Sequence, residues 1–197
     1  NGLISGLSDV TFEAWISVDG VQTWARFFDF GSSNFGEVNG PGGGGEGKDY
    51  FFLGATRGTN INQQRIEIRN EDPGGGGIST ADANLLTKLG TEYHHVVTYD
   101  ADGGSGQARM TYYRDGVLVA QTDTPTQLSE INDVNNWLGR SNWTADSNLQ
   151  GTFNEFRIYD TALDQEEISD SLAAGPDHLP GGAPTITSFT ADPVTIF

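Results

Sequence analysis

Short segments of alternating apolar and polar residues, separated by glycine, recur along this chain. They end in Phe153-Asn154-Glu155-Phe156-Arg157-Ile158-Tyr159-Asp160-Thr161-Ala162-Leu163-Asp164, where a strand passes at once into a capped helix. Side chains along a strand point to opposite faces in turn, so such segments bury one face each and have to stack. In residues 10–18, Phe12, Ala14, Ile16 and Val18 share one face, and Glu13 and Trp15 take the other. In residues 63–70, Ile66 and Ile68 oppose Arg65, Glu67 and Arg69. Aromatic strands are expected at 25–31 and 49–55, joined by a long glycine-rich loop, and further strands at 93–100, 107–114, 117–122, 134–139 and 151–160. Asp115-Gly116 suits a two-residue hairpin turn. Many short strands punctuated by 27 glycines read as an all-β, two-layer antiparallel sandwich. One short C-terminal helix follows. Asp164 and Glu167 have capping-box spacing, Leu163, Ile168 and Leu172 give an apolar stripe, and Gly175-Pro176 stops it.

The 197 residues suit one such domain over residues 1–179. Residues 180–197 read as a linker and the first strand of a following immunoglobulin-like domain. No run of apolar residues is long enough to span a membrane as a helix. The start, Asn1-Gly2-Leu3-Ile4-Ser5, has no secretory leader pattern, so the chain reads as an internal piece or a mature product. The net charge of -17 repels DNA and any glycan held by negative charge alone. The absence of cysteine removes disulfides and thiolate metal sites.

Catalysis by a glycanase would need two carboxylates facing one another about 5–5.5 Å apart, or farther for inversion. No Glu-x-Asp-x-Glu or Glu-x-Asp-x-x-Glu strand occurs. Glu166-Glu167 lies on the helix, Glu71-Asp72 precedes a proline, and Glu155 alternates with Arg157. The chain is therefore expected not to be an enzyme. His94 and His95 are neighbours on a strand and point to opposite faces, so they do not share a metal. Sugars offer C–H faces that stack on aromatic rings. Trp24 and Trp143 flank strands instead of filling them and are the expected stacking platforms. Arg57 and Asn142, with Asn34, Asn39, Asn60 and Asn148, are expected hydroxyl partners. Trp15 and Trp137 lie within strands and are expected in the core.

Thr11-Phe12-Glu13-Ala14-Trp15, Phe28-Asp29-Phe30-Gly31-Ser32, Tyr93-His94-His95-Val96-Val97-Thr98-Tyr99-Asp100, Asp115-Gly116-Val117-Leu118-Val119 and Trp137-Leu138-Gly139-Arg140-Ser141, in this order before the strand–helix passage, resemble the bacterial laminin-G-like branch of the concanavalin A-like jelly rolls. Residues 23–31 also resemble modules appended to bacterial arabinan-degrading enzymes. The resemblance implies a jelly roll over about residues 2–175 and a non-catalytic binding module, secreted or at the cell surface, with a polysaccharide or glycan as partner and neighbouring domains in the same chain. It places His95 in the core and makes Glu13, Glu155, Arg157 and Arg140 charged positions that fix strand register. It implies a structural calcium ion held by Asp49 at the start of a rim strand. Asp123, or Asp146, is a candidate second ligand by loop location. The pattern also has a strand before Asn1. An alternative is therefore a surface-layer or filament subunit that self-assembles by strand addition through residues 184–197.

Overall fold

A computed structural model describes residues 2–34, 45–71 and 77–179. The expected linker and following strand lie outside the described residues. The strands are β1 (Val10–Gly20), β2 (Arg26–Ser33), β3 (Gly47–Gly54), β4 (Gln63–Arg69), β5 (Ile78–Asn84), β6 (Glu92–Asp100), β7 (Ala108–Arg114), β8 (Val117–Thr124), β9 (Asn135–Leu138) and β10 (Gln150–Tyr159), with one helix, α1 (Gln165–Ala174). They form two five-stranded sheets, ordered β10-β1-β6-β7-β8 and β5-β4-β3-β2-β9. Every pairing is antiparallel. The expected two-layer sandwich is the observed one.

Alternation sets what lies between the layers. Phe12, Ala14, Ile16 and Val18 from β1 meet Phe28 and Phe30 from β2, Phe51 and Leu53 from β3, and Ile66 and Ile68 from β4, all buried. The Phe12 ring stacks on Phe28 at 4.3 Å between centroids and meets Phe30 edge-on at 5.2 Å. Such aromatic pairs add to the stabilisation from burial alone. His95 also faces inward, with Nδ1 2.7 Å from the Tyr112 hydroxyl. Burial holds its pKa down to about 3, helped by the nearby Arg114 and His94, so the core carries a neutral imidazole.

At the β7–β8 turn, Asp115 and Gly116 both take left-handed φ values, 52° and 74°, which match a two-residue turn to the twist of the flanking strands. The Asp164 carboxylate accepts the Glu166 and Glu167 amides at 2.8 and 2.9 Å, and Glu167 accepts the Asp164 amide at 2.8 Å. The expected capping box is formed. Helix α1 then lays Ile168 against Val96 and Tyr159 on the outer face of the first sheet.

This cover encloses a charged cluster. Register places Glu13 opposite Arg157. Glu13 accepts from Arg157 Nη1 at 3.2 Å and from the Tyr159 hydroxyl at 2.7 Å, and contacts His94 Nε2 at 2.8 Å. Arg157 also forks onto Glu155 at 2.7 and 2.8 Å and donates to Ser171 Oγ on the helix and to the carbonyls of Gly175 and His178. Trp15 is buried here, between the His94 ring and the Arg157 guanidinium, and not between the sheets. Arg140 is not in the cluster; it stacks on Trp137 at 4.2 Å. Trp137 in turn is only half-buried, because β9 is a four-residue edge strand whose outward position lies open.

Candidate glycan-binding groove

The outer face of the second sheet is the inverse of its inner one. With Phe28, Phe30, Phe51, Leu53, Ile66 and Ile68 turned inward, Asp29, Tyr50, Phe52, Arg65 and Glu67 turn outward. Register lines up Asp29, Phe52, Glu67 and Thr80 across four strands, and Gly54, Arg65 and Asp82 across three. Two connections fold onto this face. Residues 21–25, between β1 and β2, bring Trp24. Residues 139–149, between β9 and β10, bring Trp143 and Asp146.

Backbone bonds tie these connections to the β3–β4 loop. The Trp24 amide donates to the Gly58 carbonyl at 2.8 Å, and the Ser147 amide to the Thr23 carbonyl at 3.0 Å. Trp24 itself sits at φ 52°, an uncommon conformation for a bulky residue, imposed by that closure. Trp143 packs edge-on against Tyr50 and Phe52, at 4.7 and 6.3 Å between centroids. Its ring also lies so close to Gly47 that a Cβ there would come within 2.6 Å of it. Glycine is what lets the indole approach β3 this closely.

A groove of about 260 Å³ remains between Trp24 and Trp143, floored by Arg26, Phe52, Arg65 and Glu67. Arg26 is 3% exposed. Its guanidinium lies 4.0 Å from the Phe52 ring centroid and 5.4 Å from that of Trp143. It donates to Asp146 at 2.9 Å and to the Trp24 carbonyl, and its Nε is 3.7 Å from Asp29. Arg65 is held by Asp82 through two bonds, 2.6 and 3.0 Å, and by Glu67 at 3.2 Å. Glu67 accepts a hydrogen bond from the Tyr50 hydroxyl at 2.7 Å, and burial, with the charge and hydrogen bond of Glu67, pushes the Tyr50 pKa up. Burial also raises the Asp146 pKa, against the pull of Arg26 and Ser141.

Asp29 lies beneath the groove and is fully buried. It accepts the Asn142 backbone amide at 2.9 Å, the Asn142 side-chain amide at 2.7 Å and the Ser141 hydroxyl at 3.4 Å. Burial raises its pKa to about 6, opposed by Arg26 and by these hydrogen bonds. This carboxylate fixes the segment that carries Trp143.

The structure therefore brings the two expected tryptophans to one groove. Arg57 reaches its margin, with Nε 3.4 Å from Asp82. Asn142, expected to face solvent and meet hydroxyls, is completely buried instead. Its amide serves Asp29 and Asn135, so it positions the loop and does not touch a ligand. Asn39 lies outside the described residues. The expected calcium ligands do not meet. Asp49 is on β3 of the second sheet, where it accepts the Glu71 amide at 2.7 Å and the Ser32 hydroxyl at 3.4 Å. Asp123 is on β8 of the first sheet and is bonded to Arg109 at 2.7 Å. Asp146 belongs to the groove through Arg26. Among the described residues no three His, Cys, Asp or Glu side chains converge as a metal cluster.

Sequence reading missed Arg26, Phe52, Arg65, Glu67 and Asp146 as groove residues. The available signal was alternation: once Ile66 and Ile68 are assigned inward, Arg65 and Glu67 are fixed to the outer face.

Chemically, the groove offers two indole rings for stacking, guanidinium N–H donors and carboxylate acceptors. Its carboxylates are already engaged, Glu67 by Tyr50 and Arg65, and Asp146 by Arg26 and the Ser141 hydroxyl at 2.8 Å.

Comparison with solved structures finds the same fold in domains of sialidases and of an arabinanase. The CBM40 domain of a Ruminococcus gnavus sialidase, bound to α2,3-sialyllactose, superposes with a TM-score of 0.64 at 16% identity, covering 84% of this chain and 83% of that one. Domain 4 of AbnA, an extracellular arabinanase of Geobacillus stearothermophilus, in complex with arabinotriose, gives 0.58 at 17% identity over 85% and 67%. The NanB sialidase of Streptococcus pneumoniae gives 0.61 at 20% identity, covering 85% of this chain but 24% of that enzyme. Comparison with curated proteins finds no match. A family model described as the concanavalin A-like lectin/glucanases superfamily matches residues 1–169, and with the jelly-roll sandwich in place this shows that the chain belongs to that superfamily.

Proposed function

We propose that this domain is a non-catalytic carbohydrate-binding module of an exported bacterial multidomain protein, and that it holds a glycan in the groove between Trp24 and Trp143. The observation that carries the reading is the groove itself: two tryptophans from separate connections, pinned by backbone bonds over a floor of paired charges. The sugar-bound state of two structures with the same architecture supports it. The engagement of the groove carboxylates favours binding over catalysis, since a general acid needs a carboxyl poised to give up its proton.

Titration calorimetry with a panel of oligosaccharides tests the reading. Trp143→Ala and Trp24→Ala are each expected to weaken binding by about tenfold or more, a loss of about 1.4 kcal/mol, while keeping the fold. Binding that survives both substitutions places the site elsewhere, and turnover of a polysaccharide by the isolated chain overturns the non-catalytic reading.

A structural calcium ion belongs to this reading through Asp49 alone. Its carboxylate and the Ser32 hydroxyl are oxygen donors of the kind calcium takes. The expected signature is a melting midpoint that falls when a chelator is added. An unchanged midpoint removes the ion.

A further inference from the structure

We propose that the groove selects uncharged glycans and turns away sugars that carry a carboxylate, so that sialylated and uronate-containing chains are not its ligands. The inference rests on the carbohydrate-binding reading and narrows it.

An acidic sugar needs a cation with donors to spare, and an arginine fork is the usual anchor for a carboxylate. The cations lining the groove are Arg26 and Arg65. Each is already matched to two acids, Arg26 to Asp146 and Asp29, Arg65 to Asp82 and Glu67. With Arg57, which shares Asp82, three guanidinium groups face four carboxylates, an excess of one negative charge. A ligand carboxylate could reach Arg65 only through the N–H groups that Asp82 and Glu67 leave over, unless it displaced the two-pronged pairing with Asp82. Asp82 and Glu67 would then stand beside the incoming anion. Arg26 is more constrained still, since its plane lies against Phe52 beneath Trp143.

No neighbouring cation supplies the deficit. Lys48 and Arg69 are both on Glu71. Arg140 stacks on Trp137 and does not line the groove. Residues 35–44 and 72–76, which connect β2 to β3 and β4 to β5, contain no lysine or arginine. The chain as a whole adds a net charge of -17.

A neutral sugar meets the same groups on better terms. Each hydroxyl both donates and accepts, so it can donate to Glu67 or Asp146 and accept from the guanidinium N–H groups left over. Arg26 Nε is not one of these, since it is buried with its nearest acid, Asp29, 3.7 Å away. The ion pairs stay intact, and rejection of the anion comes from the unpaired charge it would create.

Calorimetry with the intact chain tests this. The probes are neutral arabino-, xylo-, gluco- and galacto-oligosaccharides, lactose, sialyllactose and oligogalacturonate, at low and at physiological salt. The expected result is binding of at least one neutral probe, with sialyllactose and oligogalacturonate at least about tenfold weaker and recovering in part as salt is raised. In Asp82→Asn/Glu67→Gln, which unties Arg65, sialyllactose binding is expected to gain severalfold over wild type. Wild-type binding of sialyllactose or oligogalacturonate as tight as that of the best neutral probe overturns the inference and leaves the carbohydrate reading standing. Failure of every probe, neutral and acidic, overturns the carbohydrate reading and this inference with it.

Discussion

Replacing Glu13 by alanine is expected to remove about 3–5 kcal/mol of stability, the range for taking one partner out of a buried ion pair. Glu13 is completely buried, and its carboxylate holds together three side chains on two neighbouring strands: His94, Arg157 and Tyr159. Without it, Arg157 keeps the fork onto Glu155 but loses its inner anion, and the Tyr159 hydroxyl is left buried without an acceptor. The loss also spreads to the helix, because Arg157 is what grips Ser171, Gly175 and His178. Urea denaturation should therefore show a lower midpoint with an unchanged slope, while glycan binding by the folded protein is retained, because Glu13 lies on the other sheet. Loss of binding without loss of stability would contradict the structural role. The pH dependence has a definite sign. Burial works to raise the Glu13 pKa, but hydrogen bonds with His94, Ser171 and Tyr159 outweigh it and hold the pKa below the ordinary 4.5. Its contribution is thus present above about pH 4.5 and is lost as pH falls through the lower folded value.

Much of this cluster was legible before any coordinates. Glu13 and Arg157 stand on strands whose alternation is clear, and Glu155 and Arg157, two apart, share a face. The same alternation placed Phe12, Ile16, Ile66 and Ile68 in the core. It failed for β5. Ile78-Ser79-Thr80-Ala81-Asp82-Ala83-Asn84 has no aromatic residue, and only two alanines face inward, so it becomes a strand through its pairing with β4, where Asp82 meets Arg65. It failed differently along Tyr50-Phe51-Phe52-Leu53. An unbroken apolar run does not say which face is buried, so the outward Phe52 could not be told from the inward Phe51. Trp24 and Trp143 were readable as loop aromatics. The floor between them was not, because it comes from three strands whose register no single segment specifies. Asn142 shows the limit most clearly. An asparagine before a loop tryptophan reads as surface, and only Asp29, set among phenylalanines in Phe28-Asp29-Phe30, hints that a buried acid needs a buried donor.

That pairing carries the other large effect. Asp29→Ala is expected to abolish glycan binding to within detection and to cost about 3 kcal/mol of stability, since it leaves two buried Asn142 donors without acceptors and takes the inner carboxylate from Arg26. The binding loss follows from geometry, because Asp29 anchors the start of the segment from Ser141 to Asp146, at Ser141 and Asn142, and that segment delivers both Trp143 and the acid that steadies Arg26. Asp29→Asn separates charge from shape. Both Asp29 oxygens accept, so an amide in their place must turn one N–H toward an Asn142 donor. Asn142 cannot flip to relieve this without losing its bond to Asn135. Weaker binding is therefore expected from the asparagine variant as well, though less than from alanine. Its pH profile gives an independent check. The folded pKa of Asp29 is raised to about 6 from 3.8, so the folded state holds the proton more tightly than the unfolded chain does. The wild-type contribution from this group is most favourable below 3.8, declines as pH rises toward about 6, and is flat above that. In Asp29→Asn that decline should be absent from the stability curve measured between those limits. A variant that keeps the wild-type slope and binds glycan at full strength would show that Asp29 neither titrates as its burial requires nor holds the Trp143 segment in place.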